Sequence, residues 1–411
     1  MFSRPIIAVV GLTLVSAESL SDYVEGLQNA FTSAGLNRMF QGIASISSTD
    51  FGQRMLGQMQ ADDEVTIFAP MDDAWDPPGP YGNLSDPQNI VTMLSYQIVT
   101  TNLTASRMPD PPSHTIAFTL FRSADHTLPG DQTQVLVVER ADPGLVVRKP
   151  DYNLTTTGDV SFYSNVVIWP TDGIIQLPID SLDVLSHIID YPDGTIPAAG
   201  WEQILSSTDL TGYFEGCFGC TFFVPIDRAV EAVNGTLQGY KDNFRRAVVK
   251  NHIINGTTIY TSQLHEGDTF VTSGGETIAY ASNDTGSYFL SHGQAARLVR
   301  GDIPTSNGVI ILIDTVFLET NTDTSNADHA AEDNRDNAPT GTSLSGIAGQ
   351  IQQTLTLPAT SSVATPTSTG STTVSAGSDQ SSAICLSALP LYIWMSILTI
   401  VTMSSVNVWE A

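Results

Sequence analysis

Seven histidines, at 114, 126, 187, 252, 265, 292 and 329, are the first residues to weigh as acid–base groups or metal ligands. None sits in an H-E-x-x-H pair, no serine lies in a G-x-S-x-G elbow, and no dinucleotide-type glycine fingerprint occurs. The carboxylates offer an adjacent couple, Asp72-Asp73, but its counterpart further along the chain is Asp227-Arg228, so the second acid needed for proton transfer is missing there. Carboxylates that cooperate in sugar hydrolysis can be far apart in sequence, which keeps a surface hydrolase open as a minor alternative. The run Asp323 to Asp328 is acidic enough for a calcium loop but lacks the glycine turn and the closing bidentate glutamate, and it reads as a solvated linker. Cys217 and Cys220, in CFGC, read as a tight disulfide, with a redox dithiol and free thiols as alternatives; zinc would need two more ligands than the neighbourhood offers. The sequence therefore calls for no catalytic residue, no metal and no cofactor.

The elements that would position these residues come in two copies. TIFAPMDDAW from Thr66 and TFFVPIDRAV from Thr221 match in type at an offset of 155, with Phe68 on Phe223, Pro70 on Pro225 and Asp72 on Asp227. At the same offset the run IVTMLSYQIVTTNLT, residues 90–104, falls on residues 245–259, so that Gln97 meets His252 and Ile98 meets Ile253. A third signature pairs DGIIQLPIDSLDVL from Asp172 with NGVIILIDTVFL from Asn307, Gly173 on Gly308 at an offset of 135, and places Asp314 near the end of the second copy. Self-similarity over units this long means tandem domains. Within each unit the apolar strand is stopped by Pro70 or Pro225, and the aspartate two residues on is expected to cap the helix that follows it. Pro178 in the first closing signature adds a residue and suggests a bulge or an edge strand. In the second unit helices precede short alternating runs (TFVTS, ETIAYAS, SYFLS, ARLVR), an order that predicts an α+β fold.

The chain ends speak to compartment. Residues 1–17 carry Arg4, an apolar run and small residues up to Ala17, the pattern of a secretory signal peptide. Residues 383–403 are apolar and long enough to span a bilayer, yet no Lys or Arg follows Arg335, and small residues including Gly370, Ser375 and Gly377 lie upstream; the region 377–411 reads as a removed glycosylphosphatidylinositol attachment signal, with a retained helix as the alternative. Six N-x-[ST] sequons, at Asn83, Asn102, Asn153, Asn234, Asn255 and Asn283, agree with export. Residues 321–376, acidic and then rich in Ser and Thr, are expected to form a disordered stalk. With 16 basic against 43 acidic side chains and a net charge of −27, the surface field repels nucleic acid.

The three signatures in this order resemble those of fasciclin-like domains, over about residues 20–187 and 196–318. The resemblance implies two strand-rich wedges with helices packed at one side, at 18–190 and 195–320. It also implies non-enzymatic adhesion or matrix interaction at the outer face of the plasma membrane or in the cell wall. The partners it suggests are wall polysaccharides, glycoproteins or matrix components, with a lipid anchor in the membrane; a structural wall or vacuolar glycoprotein is the alternative. His252 takes the family's histidine position while Asn251 replaces the usual tyrosine; the first copy keeps Tyr96 and replaces the histidine by Gln97. Such a histidine is expected to be packed and hydrogen-bonded. Thr104–Met108 and Thr258–Leu264 lie where the family presents adhesive side chains.

Overall fold

The computed structural model describes residues 18–338, apart from 63, 76–85, 122, 124–125, 127, 191–193 and 196–197. The first repeat opens with three helices, α1 (Leu20–Ser33), α2 (Asn37–Ile46) and α3 (Asp50–Ala61). Ser19 and Thr49 start α1 and α3 by accepting from Asp22 N and Gly52 N. Apolar residues three and four apart, such as Tyr23, Leu27 and Phe31 on α1, give each helix one buried face. Those faces close over β1 (Val65–Pro70), which is buried along its whole length. A 3-10 turn at Asp72–Trp75 follows, and after the undescribed residues come α4 (Pro87–Gln97) and β2 (Ile98–Val99). The remaining strands are β3 (His114–Phe118), β4 (Val135–Arg140), β5 (Leu145–Arg148), β6 (Asn153–Thr155), β7 (Ser161–Tyr163) and β8 (Val166–Thr171). They form two four-stranded sheets, β2-β1-β8-β7 and β3-β4-β5-β6, and β1 runs parallel to β8 with Phe68 beside Trp169.

The second repeat follows the same plan. It comprises α5 (Ser181–Leu185), the short hairpin β9 (Ile189–Asp190) and β10 (Gly194–Thr195), α6 (Ala199–Ser207), α7 (Thr211–Gly216), β11 (Cys220–Pro225), α8 (Asp227–Gly239) and α9 (Asp242–Lys250). Then come β12 (Ile253–Ile254), β13 (Thr269–Val271), β14 (Thr277–Asn283), β15 (Gly286–Ser291), β16 (Gln294–Thr305), β17 (Gly308–Ile313) and α10 (Thr324–Asp336). One seven-stranded sheet, β12-β11-β17-β16-β15-β14-β13, carries β11 parallel to β17 with Phe223 beside Ile311. The α+β class expected from the order of helices and strands is what the chain adopts. Tyr240 and Lys241 separate α8 from α9, and Phe244 in the first turn of α9 is 40% exposed.

Four expectations are corrected. The closing strand of the first repeat is β8, and strand register pairs Val65 with Val166 where it pairs Cys220 with Gly308. The offset between closing strands is therefore 142, not 135, and the counterpart of Gly308 is Val166, not Gly173. The two glycines also differ in surroundings: a Cβ on Gly308 would lie 2.0 Å from Cys220 O, whereas on Gly173 it would meet only Leu154 Cδ1 at 3.4 Å. Pro178 lies outside any strand, so it marks neither a bulge nor an edge. The same slip misplaced the boundary at 190: Val184, Leu185 and Ile188 belong to the core of the second repeat, and Asp180 caps α5 by accepting from Leu182 N.

The fourth correction concerns the stalk, because its acidic start is folded. Asp323 caps α10 by accepting from Asn326 N, and Ala327 and Ala331 turn inward. Asn326 Nδ2 and Asn334 Nδ2 donate to Gly275 O and Asn255 O. Small alanines allow this close seat: a Cβ on Gly256, whose φ is +82°, would approach Ala331 O to 2.8 Å. Residues from 339 on, with the anchor residues Gly370, Ser375 and Gly377, lie outside the described residues, as do the signal peptide and Asn83.

Candidate functional site

The residues singled out in sequence converge on backbone atoms. Asp72 Oδ1 accepts from Arg38 N at 2.8 Å and its Oδ2 from Asn37 Nδ2, while Asp227 Oδ1 accepts from Gly200 N at 2.7 Å. Both aspartates thus cap a helix, but an earlier one: Arg38 is the second residue of α2 and Gly200 the second of α6. This corrects the expectation that they cap the helix that follows. The cause is plain, since the residues before α2 and α6 are Leu36 and Ala198, which have no side-chain acceptor for those N–H groups.

His252 is fully buried. Its Nδ1 donates to Val248 O at 2.7 Å and its Nε2 accepts from Phe317 N at 3.1 Å. Burial pushes its pKa down to about 4, partly opposed by the bond to Val248 O, so the ring is neutral at neutral pH. Gln97 does the same work in the first repeat: its Oε1 accepts from Ile175 N at 3.2 Å and its Nε2 donates to Ile175 O. Ile175 and Phe317 are related by the offset of 142, as are Asp172 and Asp314. Asp172 accepts from Thr155 N and Oγ1, and Asp314 accepts from Arg297 N at 2.8 Å.

A further pair was missed in the sequence. Asn165 Nδ2 donates to Met59 O and Asp62 O at the end of α3, and Asn307 Nδ2 donates to Phe214 O and Glu215 O at the end of α7. The Ser-Asn dipeptides at 164–165 and 306–307 were the available signal. Thr66 and Thr221 likewise pin the loops after β2 and β12, donating to Thr101 O and Thr257 O and accepting from Leu103 N and Ile259 N.

The repeats meet at a joint built by β16. That strand shifts register twice between Leu298 and Ile303, whereas the first repeat breaks at this level into β6 and β7. The irregularity aims two side chains across the joint. Arg300 Nη2 and Nη1 donate to Lys149 O at 2.8 Å and Pro150 O at 3.3 Å. Asp302, 2% exposed, accepts from Thr261 N and Oγ1 and faces His114 Nε2 of the first repeat. Gln134 Nε2 donates to Ser306 O, and Val135, Tyr260 and Val309 pack together with Ile116 and Phe118. Lys149 is buried here, its Nζ donating to Gln176 O at 2.7 Å, and burial lowers its pKa to about 8.

Beside the joint lies a cleft of about 370 Å³, walled by Phe118, Pro129 and Gln132 on one side and by Thr257–Tyr260, Leu264 and Phe270 on the other. Its lining includes one carboxylate, Asp268, so it suits contact with a partly apolar, hydroxyl-bearing surface better than proton transfer. In the segment expected to be adhesive, Thr258–Leu264, Ile259 and Tyr260 are 6% and 3% exposed and face inward, whereas Ser262 and Gln263 are exposed. Among the described residues no group of three or more His, Cys, Asp or Glu is placed to hold a metal ion. Cys217 and Cys220 form a disulfide. Of the sequons, Asn234 and Asn283 are exposed and Asn102 and Asn255 half-buried, whereas Asn153 Nδ2 is shut from solvent in β6 and offers no room for a sugar in this conformation.

Residues 200–319 match the Fasciclin domain family model. The fasciclin match coincides with the second repeat from α6 to the end of the segment after β17. Among solved structures, the chain is similar to a FAS1 domain pair from the insect cell adhesion molecule fasciclin I, at 16% identity and a TM-score of 0.34, covering 70% of this chain and 98% of that one. No curated protein matches the chain. The matched repeat and the repeat before it share the capping aspartate, the buried Gln or His, the Asn that closes a helix end and the closing Asp.

Proposed function

We propose that this protein is a non-enzymatic cell-surface adhesion or matrix-interaction glycoprotein. One observation carries the reading: the polar residues that recur in both repeats, Asp72 and Asp227, Gln97 and His252, Asp172 and Asp314, are each bonded to backbone atoms of their own repeat. Groups held in this way stabilise a scaffold and are not free to exchange protons with a substrate. Recognition then falls to the outer surface and to the cleft at the joint. In this reading the signal peptide is removed after residue 17, a lipid is attached near Gly370, Ser375 or Gly377, and the Ser/Thr-rich segment holds the repeats away from the membrane or wall. Two repeats on one tether raise avidity for wall polysaccharides, glycoproteins or matrix components. Displaying the full chain on cells that lack it tests this. Increased aggregation, or increased retention of matrix fragments, is expected; unchanged aggregation together with unchanged retention would overturn it.

A further inference from the structure

A groove of about 390 Å³ runs between α6 and α8 on the second repeat, away from the joint, and closes on Arg245 of α9. Along α8 it is lined by Asp227, Val230, Glu231, Asn234 and Gln238, which share one face at spacings of three and four residues. Gln203, Ile204 and Ser207 form the α6 wall. Asn234 is thus both an exposed sequon asparagine, in Asn234-Gly235-Thr236, and a wall of the groove.

We propose that the groove seats the first sugars of an N-linked glycan carried by Asn234. Three observations support a sugar as occupant. The walls combine apolar patches from Ile204, Val230 and Leu237 with amide, hydroxyl, carboxylate and guanidinium groups, the mixture that fits a pyranose ring with one C–H face and a rim of hydroxyls. Gln238 Nε2 donates to Asn234 Oδ1 at 3.1 Å, which fixes the amide plane at the rim. Arg245, which gives Nη2 to Asp242, lines the end of the groove and sets a guanidinium there, a donor group suited to acetamido and hydroxyl oxygens. Gly235 keeps the neighbouring position open, since a Cβ there would meet nothing within 4 Å. A seated glycan would bridge α6, α8 and α9 and cover the region where Asp227 caps α6.

The proposal rests on passage through the secretory pathway, and Asn283, exposed at the end of β14, provides the internal control. The full chain is expressed in a glycosylating host, sugars are mapped by mass spectrometry, and their enzymatic release is timed on the native protein. Release at Asn234 is expected to be several-fold slower than at Asn283. Arg245→Ala is expected to narrow that gap, and removal of the sugar is expected to speed amide exchange in residues 199–207 but not in 277–291. Sugar at Asn283 with none at Asn234, or equal release at both with unchanged exchange, overturns the seat alone. Sugar at neither overturns export and the seat together. A thermal melt of Arg245→Ala in the sugar-free state checks that the variant is folded.

Discussion

Replacing His252 by glutamine would convert the second repeat to the arrangement of the first, where Gln97 Oε1 accepts from Ile175 N as His252 Nε2 accepts from Phe317 N. The substitution keeps the acceptor and removes the titrating group. In the folded chain the ring is protonated only near pH 4, against an ordinary value of 6.5, because burial penalises the charged form. The unfolded chain therefore binds the extra proton first as pH falls. Stability is fully present above pH 6.5 and is lost as pH drops through 4, and the gap corresponds to about 3 kcal/mol. At neutral pH His252→Gln forfeits ring contacts with Trp201 at 4.7 Å and Phe317 at 5.1 Å, a cost of about 1 kcal/mol. The variant should therefore be slightly weaker than wild type at pH 7 and stronger below roughly pH 5, since the wild-type penalty grows by about 1.4 kcal/mol for each pH unit below 6.5. Urea denaturation followed by circular dichroism at a series of pH values reads both curves. Parallel curves from pH 7 to 4 would refute the buried, neutral, backbone-bonded histidine.

Asp227→Ala and Asp72→Ala should each cost about 1 kcal/mol of stability and raise amide exchange at the start of α6 and α2 respectively, not at the helix after the aspartate. Asn307→Ala and Asn165→Ala should each lower stability by about 1–3 kcal/mol in chemical denaturation, because each leaves two carbonyls at a helix end without their donor. Wild type should gain stability between pH 8 and 10.5, where the unfolded chain still holds the proton that buried Lys149 has released, and Lys149→Met should remove that rise of about 3 kcal/mol. Asp302→Ala should loosen the joint without unfolding either repeat, seen as faster proteolysis between residues 172 and 198 at unchanged helix content; unaltered cleavage would remove Asp302 from the joint.

The duplication was legible because strand-proline-aspartate is a short local pattern that survives divergence, as Phe68-x-Pro70-x-Asp72 and Phe223-x-Pro225-x-Asp227 show. The register of the closing strand was not. In NVVIWPTDG a tryptophan and a proline stand where GVIILIDT has aliphatic residues, and the later GIIQLPID is the closer match in type. That one slip of seven residues also carried α5 into the wrong repeat. The aspartates read correctly as caps but toward the wrong helix, because a cap supplied across space leaves no mark at fixed spacing. The folded start of the stalk was hidden by composition: α10 is polar nearly all round, and only Ala327 and Ala331 reveal the narrow face that docks. The joint depends on residues 188 positions apart, His114 and Asp302, for which a single sequence holds no signal.

Adhesion itself can be measured on beads coated with the purified chain and mixed with uncoated beads, with matrix or wall fragments added in a second arm. If the repeats are interaction modules on a structural scaffold, coated beads should cluster with each other or with the fragments, and the chemistry of the fragments should be unchanged afterwards. Beads that stay dispersed while the fragments are cleaved would contradict that claim.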